Sequence, residues 1–539
     1  GITLSFDALA LTDIHLSGNG PGEFSPNGET ATLYIFGIVA LVVLTLACVN
    51  FINLTTARSA NRAKEVGVRK VLGSASHQLI RQFTLESIIT VSMATLISLG
   101  LIELARIPFL SLTGLELNID YFLQPSGIAV MVAFVMLLGI LAGSYPSFFL
   151  SRLRPSEVLK GTIRSGFKSS KLRNSLVIFQ FTISIALISC TLVVQQQLSF
   201  MRSKKLGFDK ENVVVLKNAD RVDNQQSLIN ELRQLPAVQS VASAQFRPID
   251  EYDGTVAVTE EDQETRKLVR TCYADFDYLP TVGIEIKSGR NFSRDFISDS
   301  SAVIINETAA SYLFGTDPIG KIVHVADERA SGRQTVIGVI KDFNSSSLKE
   351  TVRPMVFILG NNQPNLHVRL NPGNYDESLA AIESIWKKHA EVSFDYTFLD
   401  ESYNNLFKGE ARLGTLFTIF TGLALVIACL GLIGLAAYMS EQRNKEISIR
   451  KVLGATASQI VILMSKDFTR LVLFSALLGM PVAYYAMSKW LDGYAYRTEL
   501  NIYLFIASSV LVLVVATIAV SYQSINAALI NPVESLKNE

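Results

Sequence analysis

The sequence is short of charge. Only 18% of its 539 residues are Asp, Glu, Lys or Arg, whereas a soluble globular chain carries about 25%. The 48 basic side chains are balanced by 48 acidic ones, so no basic surplus exists to build a phosphate-binding face for nucleic acid. Hydrophobic residues make up 49% and the mean hydropathy is +0.32, which excludes a disordered chain. The low charge indicates that part of this length lies in lipid.

Cysteine and histidine are also scarce. Cys48, Cys190 and Cys429 fall in apolar runs, and Cys272 has no second cysteine in its own soluble segment, so we expect no disulfide there. The five histidines, which show no metal-ligand spacing, are His15, His77, His324, His367 and His389. The sequence therefore predicts neither a metal site nor a nucleophilic catalytic site.

Long uncharged runs are the main positive signal. A helix needs roughly 20 apolar residues to cross a bilayer core. Five runs meet this length, at 31–57, 126–151, 175–200, 413–440 and 501–532. Two shorter runs, at 87–102 and 471–487, reach it with their flanks. The sequence predicts seven membrane spans, because buried helices of a soluble core rarely repeat such runs seven times.

The loops between the runs alternate in charge. Residues 57–82, 151–173 and 439–468 hold six, seven and five Lys or Arg, whereas 109–125 hold none and 491–500 hold one. Lys and Arg are retained on the cytoplasmic side of a membrane. This places the three basic loops and the C-terminus in the cytoplasm.

The segment 201–411 lies outside by the same rule, as do residues 1–30. It has ordinary charge density and alternates strand-like with helix-like runs, which favours an α+β domain, in one or two lobes. The strand-like runs are 212–216, 335–340, 355–359 and 366–370, and the helix-like runs are 225–235, 306–314 and 375–389.

The chain contains an internal repeat. Residues 62–73 (RAKEVGVRKVLG) align with 443–454 (RNKEISIRKVLG) at an offset of 381, with eight of twelve positions identical. Each copy reads as one span, a large soluble domain and three further spans. The second copy is complete from about residue 174, and the first begins near the end of its soluble domain. We expect a truncated sequence whose parent has eight spans and two soluble domains.

The repeated segment has the pattern of a short amphipathic helix. In the first copy, Glu65 and Arg69 are spaced i, i+4 and can form an ion pair. Val68, Val71 and Leu72 form an apolar stripe, and Gly73 ends the segment. These features stabilise a helix and its C-terminal cap. An ordinary basic loop would explain the composition. It would not explain the conserved order of the two copies, which a helix docking on a cytoplasmic partner does explain.

With this motif, the sequence resembles the FtsX-like ABC permeases with MacB-type periplasmic domains. The repeated segment matches the hallmark of the family after the second span of each four-span unit. The soluble segment carries further motifs in the family's order, at 277–279, 283–284, 289–292, 305–309, 317–321 and 336–343. The resemblance covers essentially the whole chain. It implies an α-helical polytopic membrane protein, with seven spans present and eight expected in the full chain, and an α+β periplasmic domain.

The resemblance also implies a function, in which cytoplasmic ATPases drive motions that long helices pass to the periplasmic domain. The residues expected to contact the ATPase are Arg62, Lys64, Glu65, Arg69, Lys70, Gly73, Arg443, Lys445, Glu446, Arg450, Lys451 and Gly454. ATP and Mg²⁺ would bind the partner, and this chain would carry no catalytic site and no cofactor. The expected partners are two copies of an ABC ATPase subunit, the lipid bilayer and an optional periplasmic adaptor with an outer-membrane channel. The expected location is the bacterial inner membrane.

The expected organisation follows the repeat, with boundaries at 1–30 (remnant of the first periplasmic domain), 31–161 (first three-span domain), 162–174 (cytoplasmic linker), 175–200 (first span of the second copy), 201–411 (periplasmic domain) and 412–539 (second three-span domain). Export or efflux is the leading function. Two alternatives stay open, a non-transporting regulator of a periplasmic cell-wall hydrolase and a lipoprotein-release permease.

Two polar features have competing interpretations. The run from Gly315 to Lys321 approaches a phosphate-binding loop, but Ile322 stands where Ser or Thr would ligate Mg²⁺, so a turn before a strand is favoured. Asn50 and Asn53 lie near the inner end of a span. They either form interhelical hydrogen bonds or mark a helix interface, and the second is favoured.

Overall fold

The computed structural model describes residues 30–114, 116, 118–151, 166–250, 252–315, 317–326, 332–345 and 350–529. The chain forms two compact units. The helical unit contains the chain up to 195 together with 411–489 and 499 onwards, and the α+β unit contains 196–410 and 490–498. Of the predicted remnant at 1–30, only Thr30 is described, and of the predicted linker at 162–174 only the helical residues from 166.

Seven helices in the described part of the chain are long and apolar enough to cross a membrane. This confirms the seven predicted spans, including the two marginal ones, because helical flanks extend both short runs. The spans are Leu33–Thr56, Ser76–Thr113, Pro125–Ser144, Arg173–Ser203, Lys408–Gln442, Ser458–Leu491 and Ile502–Ile525.

Five helices precede the α+β unit. They are α1 (Thr30–Val71), α2 (Ser76–Thr113), α3 (Asp120–Leu123), α4 (Pro125–Ser151) and α5 (Gly166–Ser203). Two glycines let α4 approach α2 closely, since a Cβ at Gly139 would lie 2.6 Å from Cγ1 of Ile88, and one at Gly143 would lie 2.7 Å from Oγ of Ser87. Small residues at such contacts are the usual means of close helix packing in lipid.

The α+β unit has eleven strands and five helices in its described residues. The strands are β1 (Val213–Leu216), β2 (Val238–Ala244), β3 (Asp253–Thr259), β4 (Lys267–Ala274), β5 (Ile286–Gly289), β6 (Ala302–Asn306), β7 (Ile322–Val325), β8 (Arg333–Ile340), β9 (Met355–Leu359), β10 (Asn365–Leu370) and β11 (Tyr396–Phe398). The helices are α6 (Gln225–Leu232), α7 (Tyr278–Thr281), α8 (Glu307–Leu313), α9 (Tyr375–His389) and α10 (Leu399–Leu406).

One lobe of this unit is an antiparallel sheet in the order β11-β1-β10-β2. This order, with one helix after the first strand and another before the last, is the ferredoxin-like arrangement. The apolar sides of α6 and α9 pack on the sheet around the fully buried Trp386. Four of the runs read from the sequence, at 212–216, 225–235, 366–370 and 375–389, correspond to elements of this lobe.

The second lobe is inserted between β2 and β10. Its strands follow the order β4-β3-β7-β8-β6-β9, and a parallel pairing of β9 with β4 closes the ring. Ring closure leaves no free sheet edge among these six strands, which removes a template for aggregation. The predicted α+β domain is therefore two-lobed.

The C-terminal end of α5 belongs to the α+β unit and is fastened there to the loop 490–498. The Gln197 side chain is completely buried. Its Nε2 donates to the carbonyl oxygen of Tyr496 at 2.9 Å, and its Oε1 accepts from the backbone N–H of Thr498 at 2.9 Å. The Lys204 ammonium lies 2.9 Å from the centroid of the Tyr496 ring, a cation–π contact that joins the same two elements.

Four helices complete the helical unit, α11 (Lys408–Gln442), α12 (Asn444–Val452), α13 (Ala457–Leu491) and α14 (Ile502–Leu529). The apolar faces of α11, α13 and α14 pack with α5 around Phe181, Ile185 and neighbouring side chains. Hydroxyl pairs add interhelical hydrogen bonds. Ser189 lies 2.6 Å from Ser508 between their Oγ atoms, and Thr191 lies 2.8 Å from Thr421 between their Oγ1 atoms.

Candidate functional site

The two repeated segments are helical in both copies but are connected differently. The first segment (62–73) is the C-terminal end of α1, which runs without interruption from Thr30 to Val71. The second segment (443–454) contains the separate helix α12, because the chain turns at Arg443 after α11 ends. The backbone at Arg62, Lys64 and Lys445 is described, and their side chains are not.

Both segments carry the predicted ion pair. Arg69 Nη2 lies 2.6 Å from Glu65 Oε1, and Arg450 Nη2 lies 2.7 Å from Glu446 Oε1. All four side chains are roughly half exposed. Each pair therefore contributes only about 0.3–0.5 kcal/mol to its helix, and its main effect is to hold a charged pattern on the surface.

Both segments also end in the same glycine cap. Gly73 and Gly454 have φ of +99° and +94°, in the left-handed region that side chains with a Cβ disfavour. Ser74 N–H donates to the Arg69 carbonyl at 3.0 Å, and Ala455 N–H donates to the Arg450 carbonyl at 3.0 Å. Together with the bonds from the glycine N–H groups to Lys70 and Lys451, these satisfy the last helical carbonyls as a Schellman motif.

One side of each segment is buried against the following helix. In the first copy, Val66 packs on Leu79 and Phe83 of α2. At the same offset of 381, Ile447 packs on Ile460 and Met464 of α13. These anchors escaped the sequence interpretation, although their recurrence at the repeat offset is a signal that could have identified them.

The other side of each segment is an exposed apolar surface, which we call the apolar triad. In the first copy it consists of Val68, Val71 and Leu72, with exposed fractions of 46%, 61% and 80%. In the second copy it consists of Ile449, Val452 and Leu453, with exposed fractions of 53%, 66% and 81%. The triads recur at the offset of 381 and confirm the apolar stripe predicted for the first copy.

Basic side chains surround the triads, and the two copies differ in their contacts. Arg69 also donates to Gln82 Oε1 at 3.1 Å. In the second copy, Arg443 lies 3.2 Å from Asp467 of α13. Each segment thus presents apolar side chains beside exposed charged groups of both signs, a composition suited to a protein contact surface.

Two buried titratable groups of the α+β unit, Asp275 and His367, have pKa values that burial shifts from their ordinary range. Burial raises the pKa of Asp275 to about 6, although the carboxylate accepts N–H bonds from Ser243 and Asp277. Burial lowers the pKa of His367 to about 3, and its ring meets Tyr278 edge-on with 5.0 Å between centroids. Among the described residues, no three or more His, Cys, Asp or Glu are grouped to hold a metal.

The run from Gly315 to Lys321 is a connection between α8 and β7, as the sequence favoured. Lys321 Nζ lies 2.9 Å from Glu261 Oε1, and Gly320 N–H donates to the Val336 carbonyl. Within the described part of the chain, Cys48, Cys190, Cys272 and Cys429 are not joined in disulfides.

Comparison with known families identifies the class of protein, a membrane permease with an extracytoplasmic domain. The model of the FtsX-like permease C-terminal domain matches residues 37–155 and again 418–532, and the model of the MacB-like periplasmic core domain matches residues 176–385. The twofold match falls on the two copies of the repeat. The chain belongs to the FtsX-like ABC transporter permeases with a MacB-like periplasmic core domain.

Curated relatives support this assignment at low identity. An uncharacterized ABC transporter permease of Bacillus subtilis, YknZ, is 27% identical over 225 residues, which cover 38% of this chain and 54% of that protein. The macrolide export ATP-binding/permease protein MacB of Bdellovibrio bacteriovorus is 27% identical over 156 residues, which cover 29% of this chain and 22% of that protein. The matches span about half of the first relative and less of the second.

Solved structures similar to this chain are extracytoplasmic domains. The periplasmic region of MacB from Actinobacillus actinomycetemcomitans is 16% identical, covering 37% of this chain and 94% of that one, with a TM-score of 0.27. The extracellular domain of the transporter YknZ is 19% identical, covering 34% of this chain and 98% of that one, with a TM-score of 0.25.

Proposed function

We propose that this chain is the transmembrane permease subunit of a MacB/FtsX-type ABC transporter. It couples ATP hydrolysis on a separate ATPase subunit to a conformational change of the periplasmic domain, for export or efflux. The observation that carries the proposal is the recurrence of one docking arrangement, with a buried anchor, an exposed apolar triad and an ion pair, at the same offset in both copies.

Two equivalent docking sites imply two ATPase subunits on one permease chain. Exposure of apolar side chains to water is unfavourable, and the free energy falls when a partner covers them. The twelve site residues predicted from sequence provide the charged surroundings and the glycine caps of these sites. ATP and Mg²⁺ bind the partner in this proposal, and this chain supplies only protein contacts.

The proposed orientation follows the basic loops. Both docking segments carry clusters of Lys and Arg, which the positive-inside rule assigns to the cytoplasm, so the C-terminus is cytoplasmic and the α+β unit is periplasmic. A periplasmic adaptor and an outer-membrane channel are further partners in an efflux function.

Cysteine labelling tests the orientation. A cysteine at the exposed Ile297 should react in intact cells, and one at Val452 only after permeabilisation. The reverse pattern would contradict the topology.

Charge reversal tests the docking sites. The double variant Glu65→Lys with Glu446→Lys replaces each ion pair by two like charges four residues apart. It should greatly reduce the amount of ATPase that co-purifies with the chain while membrane insertion is retained. Glu383→Lys is a matched control, because Glu383 forms an i, i+4 pair with Lys387 at 2.6 Å on α9. Undiminished co-purification in the double variant would refute the assignment of these segments to ATPase docking.

A further inference from the structure

The α1 and α11 helices meet at two glycine notches. A Cβ on Gly431 of α11 would overlap Oδ1 of Asn50 and lie 2.9 Å from its Cγ. A Cβ on Gly434 would overlap Cδ2 of Leu54. Asn50 and Leu54 lie one turn apart on α1, so both project into space that only glycine leaves on the facing helix.

The contact at the first notch, between Asn50 and Gly431, joins positions that the repeat makes equivalent. At the offset of 381, Asn50 corresponds to Gly431 and Asn53 corresponds to Gly434. Two copies of one unit would ordinarily place identical residues at equivalent positions. Here the first copy has the larger polar residue and the second copy has glycine, so the shape of one helix complements the other instead of repeating it.

A third side chain faces the same notch. Nε2 of Gln180, on α5 of the second copy, would lie 3.3 Å from the Cβ of a residue at 431. Gln180 is 97% buried, with an exposed fraction of 3%. Within the described part of the chain, neither Gln180 Nε2 nor Asn50 Oδ1 has a hydrogen-bond partner. An amide donor and an amide acceptor thus lie close together beside Gly431, where an unpaired amide is costly.

We propose that Asn50 is the residue by which the first copy recognises the second. Its amide enters the notch at Gly431 beside Gln180 Nε2, so that a rotation of either side chain brings the unpartnered donor and acceptor into a hydrogen bond. Glycine is required because any side chain at 431 would fill the space between the two amides. The contact requires one helix from the first copy and one helix from the second copy. Two first-copy helices would set Asn50 against Asn50, and two second-copy helices would set glycine against glycine and leave a gap.

A size-compensation cycle tests the notch in the full chain. Gly431→Ala should lower the Tm of the detergent-purified protein by several degrees, and adding Asn50→Ala should restore most of that loss. Gly422→Ala is the matched control, because it lies on the same helix and a Cβ there would meet nothing within 4 Å. The proposal fails if Gly431→Ala is as mild as the control, or if Asn50→Ala gives no rescue.

The hydrogen bond and the pairing need separate measurements. Asn50→Leu and Gln180→Leu should each lower Tm, and the double variant should lower it by less than their sum, whereas additive losses would refute the amide pair. For the pairing, Leu54→Cys with Gly434→Cys should oxidise to a disulfide within one chain, in a background without the four native cysteines. Leu54→Cys with Gly422→Cys should not. A covalent dimer of two chains, or no disulfide, would overturn recognition within the chain.

Discussion

The apolar triads allow a quantitative prediction of ATPase affinity. Leu72 and Leu453 are 80% and 81% exposed, so truncating either to alanine should change the free energy of unfolding by no more than about 0.5 kcal/mol. Their side chains are the most exposed members of the two triads. If the partner covers them, the double variant Leu72→Ala with Leu453→Ala should weaken binding without unfolding the protein.

The size of the effect follows from the area that remains to be buried. Complete burial of a leucine side chain is worth about 1.5–3 kcal/mol, and four fifths of each side chain is available to the partner. Because alanine retains one methyl group, each truncation should cost about 1–2 kcal/mol. This corresponds to about 5- to 30-fold weaker binding at one site, and to the product of the two losses if the sites act independently.

Affinity can be measured with the chain in lipid nanodiscs and the ATPase that co-purifies with the wild-type protein. The two single variants should lose similar affinity, because the triads are equivalent. Leu268→Ala is a matched control, since Leu268 is 61% exposed on β4 of the α+β unit. An unchanged Kd in the double variant, or an equal loss in the control, would refute docking through the triads.

Three further predictions concern the α+β unit. Gln197→Leu removes both hydrogen bonds between the Gln197 side chain and the loop 490–498, and it should accelerate hydrogen exchange at the amide of Thr498. Unchanged exchange would show that these hydrogen bonds do not hold the loop. Because the pKa of His367 falls to about 3 on folding, the unfolded chain alone takes up its proton below about pH 6.5. Acidification from pH 7 to 5 should then cost about 2 kcal/mol, which His367→Leu abolishes. Asp275, with its pKa raised to about 6, gains stability as pH falls, so Asp275→Asn should steepen the acid loss measured by denaturant unfolding.

The spans were predictable because lipid imposes a length and an apolar composition that a sequence displays directly. The triad on the first segment was predictable for a similar reason, since helical spacing alone brings Val68, Val71 and Leu72 to one side. The buried anchors were harder, because the contact of Val66 with Leu79 depends on how two helices pack. The roles of the twelve site residues stay a prediction until binding is measured.

Other features depend on contacts that are distant in sequence. The parallel pairing of β9 with β4 closes a ring across about 80 residues, and Gln197 meets a loop 299–301 residues away. Local patterns do not encode such pairings. Even near-identity was insufficient, since the two repeated segments share eight of twelve residues but only the second begins a separate helix after Arg443.

That difference gives the two proposed docking sites unlike mechanical properties. The first lies at the tip of a 42-residue helix, about 63 Å of continuous rod at 1.5 Å per residue, in which hydrogen bonds join every turn to the next. Such a rod transmits torque as well as thrust. The second lies beyond the interruption of the helix at Arg443. There α12 can rotate without turning α11, so mainly displacement along the axis is transmitted from α12 to α11. In the proposed function, the same movement of two bound ATPase subunits would therefore rotate α1 but displace α11 mainly along its axis.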